Sequence, residues 1–422
     1  MRTQNALRAS ALKFFTAGFM SVLCIGAVTA QKYDILIKGG RVIDVKNSVN
    51  SILDVAISDG KIAEIGKDLP EASAGKIIDA NGLLVSPGLI DIHGHNFYGT
   101  EPDSYLSNGF ESLPPDGFTF RNGVTTIVDA GGAGWRNFKV FKEQTIDRSK
   151  TRVLAFLNIV GSGMKGGIIE QNISDMDPRM TALMAQQYKD IIVGVKLAHF
   201  MGYNWEPLDR VVEAGKQANI PVMIDFGGSE PQLSLETLFL EKLRPGNIFT
   251  HTYAALETRT PVVDENGILL DYILEAQKRG IVFDVGHGGG SFAFSQAVPA
   301  VRQGLKPNSI STDLHTGSMN GGMKDLLNVM SKFLNMDLSV EEIIATVTWN
   351  PAQYIKRPDL GHISVGAPAD IAVLNVKKGS FGFVDTKNQK MQGKQKFECE
   401  LTIRDGKVVY DLNGLSVEDW GQ

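Results

Sequence analysis

Along the middle of the chain one hydrophobic pattern recurs. A short apolar run ends at a polar residue or a glycine, and several of the stretches between runs carry apolar positions at helical spacing. Short continuous runs suit strands buried on both faces, and the amphipathic stretches suit helices that cover them. Eight such runs are present: Leu89–His93, Thr125–Asp129, Val153–Ile159, Val193–Leu197, Pro221–Phe226, Ile248–Thr252, Val282–Gly286 and Ser309–Leu314. Helical spacing is clear in Leu208–Ala218 and Leu269–Arg279, and Ser339 with Glu342 three residues on marks a further helix start. The alternation predicts a parallel sheet with crossover helices.

The two ends read differently. Asp34–Lys38 and Asp54–Ser58 are short strands, punctuated by Gly39-Gly40, Asp59-Gly60 and Asn81-Gly82. The same texture returns in Ala369–Leu374 and Leu401–Arg404, where Asp405-Gly406 echoes Asp59-Gly60. Neither end is long enough to bury a sizeable core alone. The economical arrangement is one small β-sandwich built from 31–86 and 359–422, around a central unit of 87–358. Ahead of it, Arg2, Arg8 and Lys13 precede an apolar stretch from Phe14 to Val28 and the small residues before Gln31. Residues 1–30 therefore read as a secretory signal peptide, and the mature chain as exported, to a periplasm. The apolar stretch falls short of the roughly 20 residues of a stable membrane span. Ser21-Val22-Leu23 ahead of Cys24 lacks the small residue expected before a lipid-modified cysteine. Removing the signal leaves Cys399 alone, so no internal disulfide forms.

Composition sharpens this only a little. With 43% hydrophobic residues in 422, the chain can fill a large core, and a net charge of -5 offers no basis for nucleic-acid binding. There is no Gly-x-Ser-x-Gly nucleophile motif, and the mature cysteine lies outside the central unit. The chemistry points elsewhere, to Pro87-Gly88-Leu89-Ile90-Asp91-Ile92-His93-Gly94-His95. In a strand, residues i and i+2 leave on one side, so His93 and His95 can hold one metal ion. A bare pair of this kind is as readily two surface histidines. Further landmarks follow in order: Gly194-Val195-Lys196, Thr250-His251-Thr252, Asp284-Val285-Gly286-His287-Gly288 and Ser311-Thr312-Asp313.

On these motifs the chain, from about Tyr33 to Leu412, resembles the amidohydrolase superfamily, closest to its amidohydrolase/deacetylase branch near the dihydroorotases. The resemblance implies an α/β fold, a (β/α)8 TIM-like barrel inserted between the halves of the β-sandwich. It implies zinc as cofactor, two ions bridged by a carbamylated Lys196, with His93, His95, His251 and Asp313 as further ligands. It makes Asp313 the general base and acid for a metal-activated water. Strand five departs from the pattern, because Asp225 stands where a histidine is expected. Asp225 either ligates or orients a ligating histidine, and the site then holds two ions or one. His287, among glycines, is expected to touch substrate or to ligate in compensation. Lys165, in the glycine-rich run 161–167, could meet a substrate carboxylate. For His199 and His315 a structural or orienting role is expected, and His362 is expected to stand outside the chemistry.

The activity implied is hydrolysis of an amide or ester bond, with removal of the acyl group from a small N-acyl or O-acyl acid. Cyclic amide hydrolysis of dihydroorotase or hydantoinase type, deamination and dipeptide hydrolysis are the alternatives within hydrolases. A barrel that binds a ligand without turnover is the alternative of another class, and Asp225 keeps it open. The expected partner is a small molecule. Members of such a family often self-associate, although no interface is legible in these residues.

Overall fold

The computed structural model describes residues 32–99, 108–225 and 232–421. The expected signal peptide, with Cys24, lies outside these residues, as does Phe226 at the end of the fifth apolar run. In chain order the strands are β1 (Tyr33–Asp44), β2 (Val49–Ser58), β3 (Lys61–Gly66), β4 (Ala74–Asp79), β5 (Leu84–Pro87), β6 (Leu89–Gly94), β7 (Val124–Gly134), β8 (Arg152–Asn158), β9 (Ile192–Ala198), β10 (Val222–Asp225), β11 (Ile248–Phe249), β12 (Val282–Phe283), β13 (Ile371–Val384), β14 (Lys390–Arg404) and β15 (Lys407–Asp411).

Both ends of the chain share one eight-stranded sheet, ordered β15-β14-β13-β5-β1-β2-β3 with β4 beside β1. The ends meet where β13 runs antiparallel to β5, from Ile371 opposite Pro87 to Leu374 opposite Leu84. Inward residues of both ends, among them Ile37, Val55, Ile57, Val85, Ile371, Val373 and Ile403, form one buried cluster. Two Asp-Gly turns close hairpins at opposite ends of the sequence. Asp59 and Gly60 have φ of 51° and 73°, and Asp405 and Gly406 have 48° and 72°, the left-handed pair that a tight hairpin between twisted strands requires.

Strands β6 to β12 form a second sheet, all parallel and in sequence order. The eighth run makes no ladder. Parallel bridges from Ser309 to Asp284 and from Leu314 to Gly94 nevertheless seat it between β12 and β6 and close the barrel. Side chains hold this seam: the Ser309, Ser311 and Thr250 hydroxyls donate to the buried carboxylate of Asp284 at 2.6–2.7 Å. Helices Glu206–Ala218 and Asp271–Arg279 cover the sheet and stop at left-handed Asn219 and Gly280. The helix Val340–Thr346 starts on Ser339, whose hydroxyl accepts from Glu342 N while the Glu342 carboxylate accepts from Ser339 N. Among the described residues no helix is long and apolar enough to cross a membrane.

The tip of the β13–β14 hairpin leaves its own sheet and docks on the barrel. Thr386 N donates to Phe292 O at 3.0 Å, and Phe294 N donates to the Asp385 carboxylate at 2.9 Å. Lys332, buried on the helix Leu326–Leu334, donates to Gly322 O and Val384 O at 2.8 Å each. One buried amine thus ties the hairpin to the barrel.

Candidate metal centre

The C-terminal ends of parallel strands face one side of a barrel, and side chains placed there converge. His93 and His95 leave β6 toward this face, Lys196 leaves β9, Asp225 ends β10, His251 follows β11, and Asp313 lies near the end of the eighth run. His93, His251 and Asp313 each offer a ligand atom within 4.8 Å of the others. His93 Nε2 lies 3.4 Å from Asp313 Oδ1 and 3.5 Å from Lys196 Nζ, and His95 Nε2 lies 2.9 Å from the same Asp313 oxygen. His251 Nε2 lies 3.2 Å from Asp225 Oδ2.

The rings are oriented from behind. The Thr250 hydroxyl donates to Asp284 at 2.7 Å, so it accepts from His93 Nδ1–H at 2.9 Å and leaves Nε2 free to ligate. His251 donates Nδ1–H to Gly286 O at 2.6 Å, with the same consequence. Asp91 accepts from the Thr312 hydroxyl and amide and from His93 N, which braces β6 against the eighth run. The donor set of buried imidazole nitrogens and carboxylate oxygens fits a divalent cation. His95 Nδ1 is buried and has no hydrogen-bond partner among the described residues, so that ring's anchoring rests on its Asp313 side alone.

Charge follows from burial and neighbours. Burial, helped by the Lys196 amine, pulls the pKa of His93 down to about 3 against the attraction of Asp313, so its ring stays neutral and able to ligate. Burial lowers Lys196 as well, against the pull of Asp225 and Asp313. Asp313 and Asp225 are held below the usual carboxylate range: burial opposes this, but the imidazoles hydrogen-bonded to them, His95 on Asp313 and His251 on Asp225, outweigh it. Asp91, the brace, is raised to about 7 by burial.

These groups floor a cavity of about 260 Å³ whose walls include Phe110, Met164 and Leu256. A larger open groove of about 780 Å³ lies on the terminal sheet near Ile52 and Ile77, but no histidine lines it, so the chemistry belongs to the smaller space. At the rim His315 Nδ1 lies 2.6 Å from Glu111 Oε2, with Nε2 3.7 Å from Asp313.

The structure brings His93, His95, Lys196, Asp225, His251 and Asp313 together around this cavity. It places the two expected substrate contacts elsewhere. Gly286 and Gly288, both left-handed, turn His287 away from the cavity. Its ring stacks on Phe292 with centroids 4.5 Å apart, Nδ1 faces Gly288 O, and Nε2 faces Lys332 Nζ at 2.5 Å. The Lys165 amine donates to the Asn108 carbonyl and does not line the cavity. His199, expected in an orienting role, does line it. Glu170 and Thr250 hold site histidines from behind; the residue patterns do not single out Glu170 and show Thr250 only inside a landmark. Asp284 was visible only as part of a landmark.

The chain is similar to known proteins. A model of the amidohydrolase family matches residues 314–410. A deacetylase of Agrobacterium fabrum is 34% identical over 366 residues, 85% of this chain and 87% of that protein. A deacetylase of Brucella anthropi is 33% identical over 352 residues, 82% and 84% of the two chains. The crystal structure of an adenine deaminase superposes with a TM-score of 0.79 at 27% identity, over 90% of this chain and all of that one. That of a dihydroorotase does so with 0.77 at 30% identity, over 89% and 99%. Likeness of this extent, on a barrel that gathers His93, His95, His251 and Asp313 at its strand ends, gives the assignment: the chain belongs to the amidohydrolase family and is a metal-dependent hydrolase of carbon–nitrogen bonds.

Proposed function

We propose that the enzyme removes the acyl group from a small N-acyl or O-acyl acid, using two zinc ions bridged by a carbamate on Lys196. His93, His95 and Asp313 would hold one ion, and Lys196 and His251 face the other. Zinc bound there supplies water acidified toward neutral pH and polarises the scissile carbonyl. Lys196 suits carbamate formation because it is fully buried and burial favours its neutral amine. That amine adds to carbon dioxide and releases one proton, leaving an anion with two oxygens. Asp313, kept ionised by the hydrogen bond from His95, takes the proton of the attacking water and returns it to the leaving nitrogen or oxygen. A side chain at Gly288 would come within 2.3 Å of Asp313 Oδ2, so the bare glycine keeps that oxygen accessible. Phe110, Met164 and Leu256 offer an apolar wall to the substrate, and about 260 Å³ suits a short acyl group on a small acid.

Among the curated relatives, what favours deacylation over ring opening is the extent of the sequence alignment, although a dihydroorotase structure superposes over 89% of the chain. The deacetylase of Agrobacterium fabrum aligns over 85% of the chain, whereas a dihydroorotase of Citrifermentans bemidjiense aligns over 32%. The test is a substrate panel on the zinc-loaded enzyme: N-acetyl and longer N-acyl amino acids, O-acetyl acids, and dihydropyrimidine and hydantoin rings. Deacylation should exceed ring opening in kcat/KM by about 100-fold, the discrimination a shaped pocket can supply. Preferred ring opening would overturn the reading. Export belongs to the same reading and is supported by the pattern of residues 1–30. It predicts a mature protein starting at Gln31 in the osmotic-shock fraction; an intact N-terminus in the cytosol would sink it.

A further inference from the structure

Strand five lacks the histidine that the resemblance leads one to expect, and another imidazole stands beside the vacant role. His199 lies just past the end of β9, three residues after Lys196. Its Nε2 is 3.5 Å from Asp225 Oδ2, the oxygen that also lies 3.2 Å from His251 Nε2. Both rings are anchored at the far nitrogen. His251 donates Nδ1–H to Gly286 O, and His199 Nδ1 lies 2.8 Å from Glu170 Oε2. Glu170 is itself fully buried, and its second oxygen accepts from Gly166 N at 2.6 Å, so it cannot swing away freely. An imidazole whose Nδ1 is held by a carboxylate presents Nε2 as a ligand, which is how metal-binding histidines are oriented.

We propose that His199 is a metal ligand, and that with Asp225 and His251 it forms the second cation position of this chain. The spacing fits. Ligands about 2.0–2.2 Å from a tetrahedral ion lie roughly 3.4 Å from one another, and both imidazoles stand at about that distance from the shared Asp225 oxygen. Lys196 sits beside the three and is the group whose carbamate would join this position to the other. The proposal rests on the metal-dependent reading above and adds to it a ligand that replaces an imidazole on one strand by a carboxylate there and an imidazole on the neighbouring one. His199 faces the cavity with 47% of its side chain exposed, so a substitution there disturbs no core.

The test is metal stoichiometry, read independently of turnover. Wild type, His199→Ala, Asp225→His and the double variant are loaded with cobalt in bicarbonate buffer and freed of excess ion. They are then assayed by elemental analysis and by the visible absorption of bound cobalt. Two ions per protomer are expected for wild type and about one for His199→Ala, with affinity for the second equivalent reduced at least tenfold. Asp225→His supplies the strand-five imidazole directly, so in that background loss of His199 should no longer remove the second ion. Two ions held by His199→Ala with wild-type affinity would overturn the proposal. Wild type that holds a single ion and still hydrolyses its substrate would overturn it too, while leaving the hydrolase reading intact. Wild type that binds no ion and turns over nothing would remove both.

Discussion

The two sides of the cavity floor are built in different ways. On one side His93 and His95 come from a single strand end, two residues apart, with Asp313 hydrogen-bonded between neighbouring strands, and all three are at most 7% exposed. On the other side His199, Asp225 and His251 come from three successive strand ends, and His199 is half exposed. The first side is rigid because Asp91, Thr250, Thr312 and Asp284 hold it through buried hydrogen bonds. The second depends on one carboxylate, Glu170, and one carbonyl, Gly286. The difference teaches where substitution can be absorbed. A ligand fixed from several strands has no neighbour to take its place, whereas a ligand at a loop can be exchanged if another loop supplies the donor.

The strongest way to break this comparison is to remove the proton carrier from the rigid side. Asp313→Asn keeps the shape but loses the base, and kcat should fall by about 1,000-fold. Because Asp313 is also a ligand of the first ion, the variant is assayed at saturating zinc, where elemental analysis should still find close to two ions per protomer. A variant with turnover within tenfold of wild type would remove Asp313 from the chemistry. Lys196→Ala strikes the junction between the two sides. It should bind no more than one ion and lose about 100-fold in turnover, and millimolar acetate or propionate, by standing in for the carbamate oxygens, should restore part of both. No response to added carboxylate would count against the carbamate.

Smaller effects separate the two sides. Thr250→Val cuts the hydroxyl that orients His93, so the first ion should bind about tenfold more weakly in a chelator competition, with the second unchanged. Equal weakening of both would mean that the sides are not independent. Lys332→Met leaves Gly322 O and Val384 O without their donor, at about 1–3 kcal/mol of stability. Thermal unfolding should register that loss while ion content at both positions stays as in wild type. A change in ion content would place the hairpin dock inside the metal machinery.

The barrel was legible because strands buried on both faces leave short continuous apolar runs, and seven of the eight became ladders. The eighth, Ser309–Leu314, is held by side-chain bonds to Asp284 and by isolated bridges, which no apolar pattern encodes. The His93–His95 side was legible for a local reason, since two residues in one strand determine each other's direction. His287 looked equally well placed among its glycines, but left-handed conformations at Gly286 and Gly288 decide where that ring points, and glycine permits many directions. The partnership of His199 with Glu170 spans 29 residues and two loops, so nothing in the neighbourhood of either announces it. Lys332 sits inside an otherwise apolar helical pattern, and its acceptors come from the distant tip of a hairpin.

The pairing of β5 with β13 also sets a timetable. The N-terminal strands β1 to β5 can fold early, yet the edge that β13 covers stays open until roughly 280 further residues have been made, tens of seconds at ordinary rates of synthesis. During that interval Leu84, Val85 and Ser86 present unpaired backbone on a sheet edge, the kind of template that recruits strands from other chains. Contacts this remote in sequence are also slow to form once the whole chain is present. Yield of this enzyme should therefore be limited less by the stability of the finished fold than by how long that one edge is shielded before its partner arrives.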